Sequence, residues 1–148
     1  MPIPFSGGCA CGAIRYTCTA EPIIAWQCHC RDCQQASGAA CSPVFYVPTS
    51  AWTVTGKVKY YDVQAKSGNT VSRGFCPECG SPLWALLSTL PTIVSIRIAS
   101  LDDPSGVQPS MDIWTVSAQP WEYLDPARSK VETQPTKEQL EELFAPRG

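Results

Sequence analysis

Residues 75–82 read Phe75-Cys76-Pro77-Glu78-Cys79-Gly80-Ser81-Pro82, and the two cysteines in this stretch decide the fold. A Cys-x-x-Cys turn presents two sulfurs to one ion at about 2.3 Å, and zinc takes four such ligands tetrahedrally. Pro77 presets the turn, and Gly80 permits a left-handed backbone just after the second cysteine. Two ligands call for two more. Gly8-Cys9-Ala10-Cys11-Gly12 supplies them, because alternate residues of an extended segment point the same way and Gly12 again allows a tight turn. Cys9, Cys11, Cys76 and Cys79 therefore group as a closed structural zinc site. Structural zinc contributes on the order of 10–16 kcal/mol, against a domain's whole stability of roughly 5–15 kcal/mol. A site tying residue 11 to residue 76 pins the global fold.

A third cysteine group lies between these two: Cys28-His29-Cys30-Arg31-Asp32-Cys33. The chain holds nine cysteines in 148 residues, an odd number that disulfides could not pair completely. With no export signal at Met1-Pro2-Ile3-Pro4-Phe5, a reducing, cytoplasmic setting is expected, where clustered thiols mean metal or catalysis. Three protein ligands with one open position is the arrangement of catalytic zinc. The alternatives at this point are a second structural zinc completed by a distant residue or water, and reduced thiols without metal. If residues 28–30 are extended, Cys28 and Cys30 share one face and His29 takes the other. His29 is therefore read as supporting or solvent-facing rather than as a ligand. Cys18 and Cys41 stand apart and read as buried free thiols.

Composition narrows the field. Hydrophobic residues make up 44% of the chain, enough for a packed interior and against disorder, and the length suits a single domain over residues 1–148. No apolar run approaches the ~20 residues of a membrane span. Eleven basic against thirteen acidic residues leave no basic footprint for nucleic acid. The tryptophans Trp26, Trp52, Trp84, Trp114 and Trp121 are accordingly read as core residues, with Trp26 near the cysteine triplet, rather than as stacking platforms.

Short apolar or β-branched runs separated by Gly and Pro dominate the rest: Ala13 to Cys18, Ile23 to Gln27, Pro43 to Val47, Lys57 to Val63, Val71 to Phe75, Leu83 to Leu87 and Ile93 to Ala99. Many short strands at this spacing predict an all-β domain. Helix is expected at Asp32 to Ser37, ending at Gly38, and at the C-terminus, where Thr136-Lys137-Glu138-Gln139 reads as a capping box ahead of Leu140, Leu143 and Phe144. Leu101-Asp102-Asp103-Pro104 reads as a turn whose Asp side chains bond local backbone.

These blocks, in this order, resemble the glutathione-dependent formaldehyde-activating family, also called the centromere-protein-V domain. The resemblance rests on Gly8 to Gly12, Cys28 to Cys33 running on to Ser37-Gly38, Ser67-Gly68, Phe75 to Leu83, Leu101 to Pro104 and Pro120-Trp121. It covers about residues 7–125, with an extension over 126–148. It implies a β-tent of several bent antiparallel sheets pinned by one zinc, with Cys28, Cys30 and Cys33 on a second, active-site zinc. It also implies a carbon–sulfur lyase-type reaction, in which a small thiol such as glutathione adds to formaldehyde or a related small aldehyde. Many relatives carry histidine where this chain has Asp112, before Ile113-Trp114, a departure that bears on substrate choice. Arg31 is a candidate for attracting a substrate carboxylate. The rival reading is a zinc-stabilised, non-catalytic module that binds a protein or small thiol.

Overall fold

A computed structural model describes residues 1–66 and 68–145, so Ser67 of the family-like blocks lies outside the described residues. Among the described residues, runs of β-branched and aromatic residues between turn residues form eleven strands. In chain order these are β1 (Phe5–Gly8), β2 (Arg15–Cys18), β3 (Ile24–Cys28), β4 (Ser42–Pro48), β5 (Trp52–Thr55), β6 (Lys59–Gln64), β7 (Thr70–Phe75), β8 (Pro82–Leu87), β9 (Ile93–Arg97), β10 (Met111–Ile113) and β11 (Ser129–Lys130). Two short helices accompany them, α1 (Arg31–Ser37) and α2 (Lys137–Leu143). The fold is all-β with a short C-terminal helix, as the spacing of apolar runs predicts.

The strands divide into two sheets. One is antiparallel, in the order β1-β2-β5; the other has eight strands in the order β11-β10-β3-β4-β9-β8-β7-β6. The larger sheet departs from an all-antiparallel plan at one end, where β10 runs parallel to both β3 and β11. Its register sets Asp112 opposite Gln27 and Ile113 opposite Cys28.

Alternation along β4 separates two cores. Phe45 and Val47 join Phe5, Tyr16, Trp84, Val94 and Ile96 in a cluster shared by the two sheets. Val44 and Tyr46 face the other way, packing with Trp26, Cys28, Ile93 and Ile113, and α2 covers this side with Leu140, Leu143 and Phe144. The predicted capping box starts α2: Thr136 Oγ1 accepts from the Gln139 amide at 3.2 Å and Gln139 Oε1 from the Thr136 amide at 2.9 Å. Phe144 then reaches Tyr46, with ring centroids 5.4 Å apart.

Several expectations need correcting. Trp26 and Trp84 are core residues and Trp52 and Trp114 pack against the cores, but Trp121 is 73% exposed. It follows the turns after β10. Asp103 bonds local backbone, accepting from the Ser105 amide. Asp102 instead makes a two-point pair with Arg15, at 2.7 and 2.5 Å, a long-range contact that local turn chemistry does not foresee. Cys18 is fully buried, whereas Cys41 is only half-buried.

The small sheet meets the segment after β9 closely at Gly7, which bridges to Leu101. A Cβ at Gly7 would lie 2.4 Å from both the Ser100 carbonyl oxygen and the Tyr16 hydroxyl. That hydroxyl is held by Ser100 Oγ at 2.7 Å, so neither neighbour can give way cheaply. Gly7→Ala is expected to cost about 1–3 kcal/mol through overpacking, read as a lowered urea midpoint. An unchanged midpoint would show that Ser100 and Tyr16 can give way without loss.

Candidate metal centres

The two knuckles around the first four cysteines converge in space. Cys9 directly follows β1, and its carbonyl accepts from the Gly12 amide at 3.1 Å while its sulfur accepts from the Ile14 amide at 3.2 Å. On the other knuckle, the Gly80 amide donates to the Cys76 carbonyl at 2.8 Å and the Cys76 amide to the Ser81 carbonyl at 3.0 Å. Gly12 and Gly80 follow the two ligand pairs with φ of 78° and 77°, the left-handed backbone each tight turn needs. The Ala10 amide donates to Ser81 Oγ at 3.0 Å, joining the two knuckles directly.

The sulfurs of Cys9, Cys11, Cys76 and Cys79 all lie within 4.8 Å of one another. Cys9 and Cys11 are 3.6 Å apart, and Cys11 and Cys76 3.8 Å. A zinc–sulfur bond of about 2.3 Å implies tetrahedral edges of about 3.8 Å, so this donor set fits zinc. Cys9 and Cys76 are buried while Cys11 and Cys79 are exposed. The cluster is thus the seam between the core and a surface corner. Its thiols share protons unevenly: hydrogen bonds from the Ser81 hydroxyl and backbone hold Cys79 down at about 5.

The second group, Cys28, Cys30 and Cys33, also has its sulfurs within 4.8 Å of one another. Each arrives from a different local structure. Cys28 ends β3, Cys30 is the N-cap of α1, and Cys33 lies in the first turn of that helix. Cys30 Sγ accepts from the Cys33 amide at 3.3 Å, so the cap that starts the helix also sets two sulfurs side by side. Gly38 ends α1 in a left-handed conformation, the stop that the sequence predicts. Hydrogen bonds from Cys28 and Cys33 hold the Cys30 thiol down at about 2, and bonds to Cys30 and Cys33, with burial, push Cys28 well up. A single thiolate thus forms readily, whereas all three require a cation among them.

His29 turns to the opposite face, as alternation demands, but it is not solvent-facing. It is fully buried, with Nε2 donating to Asp112 Oδ1 at 2.8 Å. Arg128 Nη1 donates to both Asp112 oxygens, at 3.1 and 3.2 Å, and to Gln27 Oε1 at 3.0 Å. Asp112 is therefore an anchor beneath the cysteine loop. Arg128 comes from the segment before β11, beyond any motif the sequence offers. Gln34 completes the support: its Nε2 donates to the His29 carbonyl at 2.7 Å and the Ser117 carbonyl at 3.0 Å. Arg31, exposed at the start of α1, donates from Nη1 to Gln34 Oε1 at 2.6 Å.

Two residues that sequence reading passes over adjoin the triplet. Arg73 Nη2 donates to Cys33 Sγ at 3.7 Å, and Arg97, on the neighbouring strands, lies within the electrostatic reach of Cys33 and Cys28. Both line a cavity of about 210 Å³. A second cavity of about 230 Å³, at Thr70, Leu86 and Ile93, is lined by neither cysteine nor charge. No described helix is long and apolar enough to cross a membrane.

Comparison with known proteins agrees with the geometry. The family profile described as glutathione-dependent formaldehyde-activating enzyme matches residues 4–117. A crystal structure of a Rhodobacter sphaeroides protein, a structural-genomics target, shares the fold with a TM-score of 0.54 at 21% identity, over 70% of this chain and 91% of that one. No curated protein matches the chain.

Two measurements check the site's construction. Asp112→Ala strips a buried charge network of its centre and is expected to cost about 3–5 kcal/mol in denaturant unfolding; a near-neutral result would mean the anchor is dispensable. Cys18 is buried, and burial raises its thiol to about 11, so it should resist alkylation at pH 8 in the folded protein. Rapid labelling of Cys18 would contradict that burial.

Proposed function

The chain belongs to the glutathione-dependent formaldehyde-activating family, and on that premise we propose that it joins a small thiol, glutathione foremost, to formaldehyde or a related small aldehyde. In this reading Cys9, Cys11, Cys76 and Cys79 hold a structural zinc. Cys28, Cys30 and Cys33 hold a second zinc at which the thiol reacts. The observation that carries the proposal is the convergence of three sulfurs while His29, the nearest further candidate, is engaged with Asp112. Three protein ligands are the set that leaves a place for an exogenous thiol.

Bound there, zinc supplies the positive charge that keeps a thiol deprotonated near neutral pH, where a free thiol of pKa about 8.5 is mostly protonated. The chain's own residues do the rest. The cap at Cys30 and the Gln34 bonds hold the three sulfurs in place, so little reorganisation is needed when substrate arrives. Three thiolates would by themselves repel a fourth. Arg73, donating to Cys33, and Arg97 beside it offset that charge. In the reaction the thiol loses its proton to solvent and its sulfur pair forms the carbon–sulfur bond. The carbonyl π pair moves onto oxygen, which takes up a proton from water. The product is an S-hydroxymethyl thioether, with no net change in protons or electrons.

Titration calorimetry of glutathione into the zinc-loaded protein tests this. Saturable micromolar binding, lost in Cys30→Ser, is the expected result. No heat up to about 10 mM means an interaction weaker than roughly 3 kcal/mol, and the chain would then stand as a zinc-stabilised binding module. A chelator is expected to remove about half the bound zinc before the fold is lost, because the three-ligand site closes only a short loop. Loss of both ions in one step with unfolding would mean that the triplet is structural too.

A further inference from the structure

The cavity beside the cysteine triplet is framed by Ala36 of α1, Arg73 of β7, Arg97 of β9, Trp84 of β8 and the Gly80 to Pro82 turn. It lies between the two cysteine clusters, since Arg73 touches Cys33 and Gly80 follows Cys79. The sheet register places the two guanidinium groups on one face. Arg73 pairs with Ala85, Ala85 with Ser95, and Arg97 is two residues beyond Ser95 on the same strand.

Two like charges in one small cavity repel, and no carboxylate among the described residues answers them. The ion pairs among the described residues use Arg15, His29, Arg128 and Lys137, and neither Arg73 nor Arg97 faces a carboxylate. The Arg97 side chain is nine-tenths buried, and its Nη1 has no hydrogen-bond partner; the same holds for the buried Nε of Arg73. A buried donor left unpaired costs free energy, more so when charged. The groups acting on Arg97 are Cys33, Arg73, Cys28 and Tyr46, none of them an acid of carboxylate type. Offsetting thiolate charge accounts for Arg73, which donates to Cys33. At Arg97 the thiolate charge acts only through space, and the buried Nη1 is left without an acceptor.

We infer that this cavity is an anion subsite in which Arg73 and Arg97 bind a carboxylate of the substrate beside the reacting thiol. Guanidinium forks match the planar two-oxygen geometry of a carboxylate. A volume of about 210 Å³ is below the roughly 300–1,000 Å³ that drug-sized ligands fill. It suits a small carboxylate, or one arm of a larger thiol. The carboxylate has two possible sources, the thiol itself or an oxo-acid aldehyde. Its being part of the substrate rests on the thiol–aldehyde reading above; anion binding by the cavity does not.

The test uses the zinc-loaded full chain and three probes: glutathione, its diethyl ester and glyoxylate. Binding is followed by calorimetry and by tryptophan fluorescence, because Trp84 lines the cavity. If the carboxylate belongs to the thiol, esterification and Arg97→Met each weaken thiol binding by about tenfold or more. If it belongs to the aldehyde, the ester binds like glutathione, while glyoxylate binds saturably and loses affinity by a similar factor in Arg97→Met. Should Arg97→Met fail to fold, Arg73→Gln, at a half-buried position, and the charge-retaining Arg97→Lys carry the comparison. Glutathione and ester binding equally, with no arginine-dependent glyoxylate binding, would overturn the subsite and leave the thiol reading standing. Arginine-dependent glyoxylate binding without any thiol binding would keep the anion site and sink the thiol reading. No binding of any probe would overturn both.

Discussion

The convergence of four sulfurs from the two knuckles is the constraint on which the rest of the molecule depends. Cys11 and Cys76 are 65 positions apart and 3.8 Å apart in space. The strands on either side of each knuckle inherit their places from that closure. Cys9 follows β1 of the small sheet, and Cys76 sits between β7 and β8 of the large one. Both sulfur pairs need a tight turn, and both turns are followed by a glycine in the left-handed region. The Ala10–Ser81 bond fastens the knuckles to each other. Loop closure over that separation is entropically costly in the unfolded chain, and a shared cation with binding energy of folding size is the kind of interaction that can offset it.

With the frame closed, the triplet is a locally built object. Its three sulfurs come from six consecutive residues, and a strand end and a helix cap orient them. The support beneath it is long-range: His29 on Asp112, Asp112 on Arg128, and Gln34 between the His29 and Ser117 carbonyls. This network lies on the face opposite the sulfurs, so Asp112 acts on the site by holding its floor. The family match ends at residue 117, and Arg128 lies past it. Part of the floor is therefore supplied by this chain's own C-terminal segment, which also adds β11 and α2. The charge on the sulfur side is balanced from β7 and β9, by Arg73 and Arg97. A pair of arginines without a carboxylate partner is the one feature of the cavity that packing alone leaves without a reason.

Most of the fold is legible along the chain because most of its signals are local. The knuckles are visible from cysteine spacing and the glycine after each. The Thr136 capping box and the Gly38 stop are visible from the chemistry of helix ends, and seven of the strands from β-branched runs. What escapes reading is short or atypical. β1 is Phe-Ser-Gly-Gly, β5 is four residues, and β10 and β11 have three and two. Strands of that length carry no periodicity and exist because a neighbour offers them hydrogen bonds. The same holds for Asp102, whose partner Arg15 is 87 positions away, and for Trp121, exposed where the other tryptophans found a core.

The sequence by itself determined the seven-cysteine plan, because metal spacing is a matter of a few adjacent residues. It likewise determined the all-β character, the helix ends and the turning of His29 away from Cys28 and Cys30, a consequence of alternation over three residues. Only the tertiary structure decided where His29 ends, buried on Asp112 rather than in solvent. It alone decided that Arg31 meets Gln34, that Arg73 donates to Cys33 and that Arg97 lies within electrostatic reach of the sulfurs. The reason is physical. A side chain's direction follows from its own backbone, but the group it meets depends on sheet register. Register is set by pairing between segments tens of residues apart.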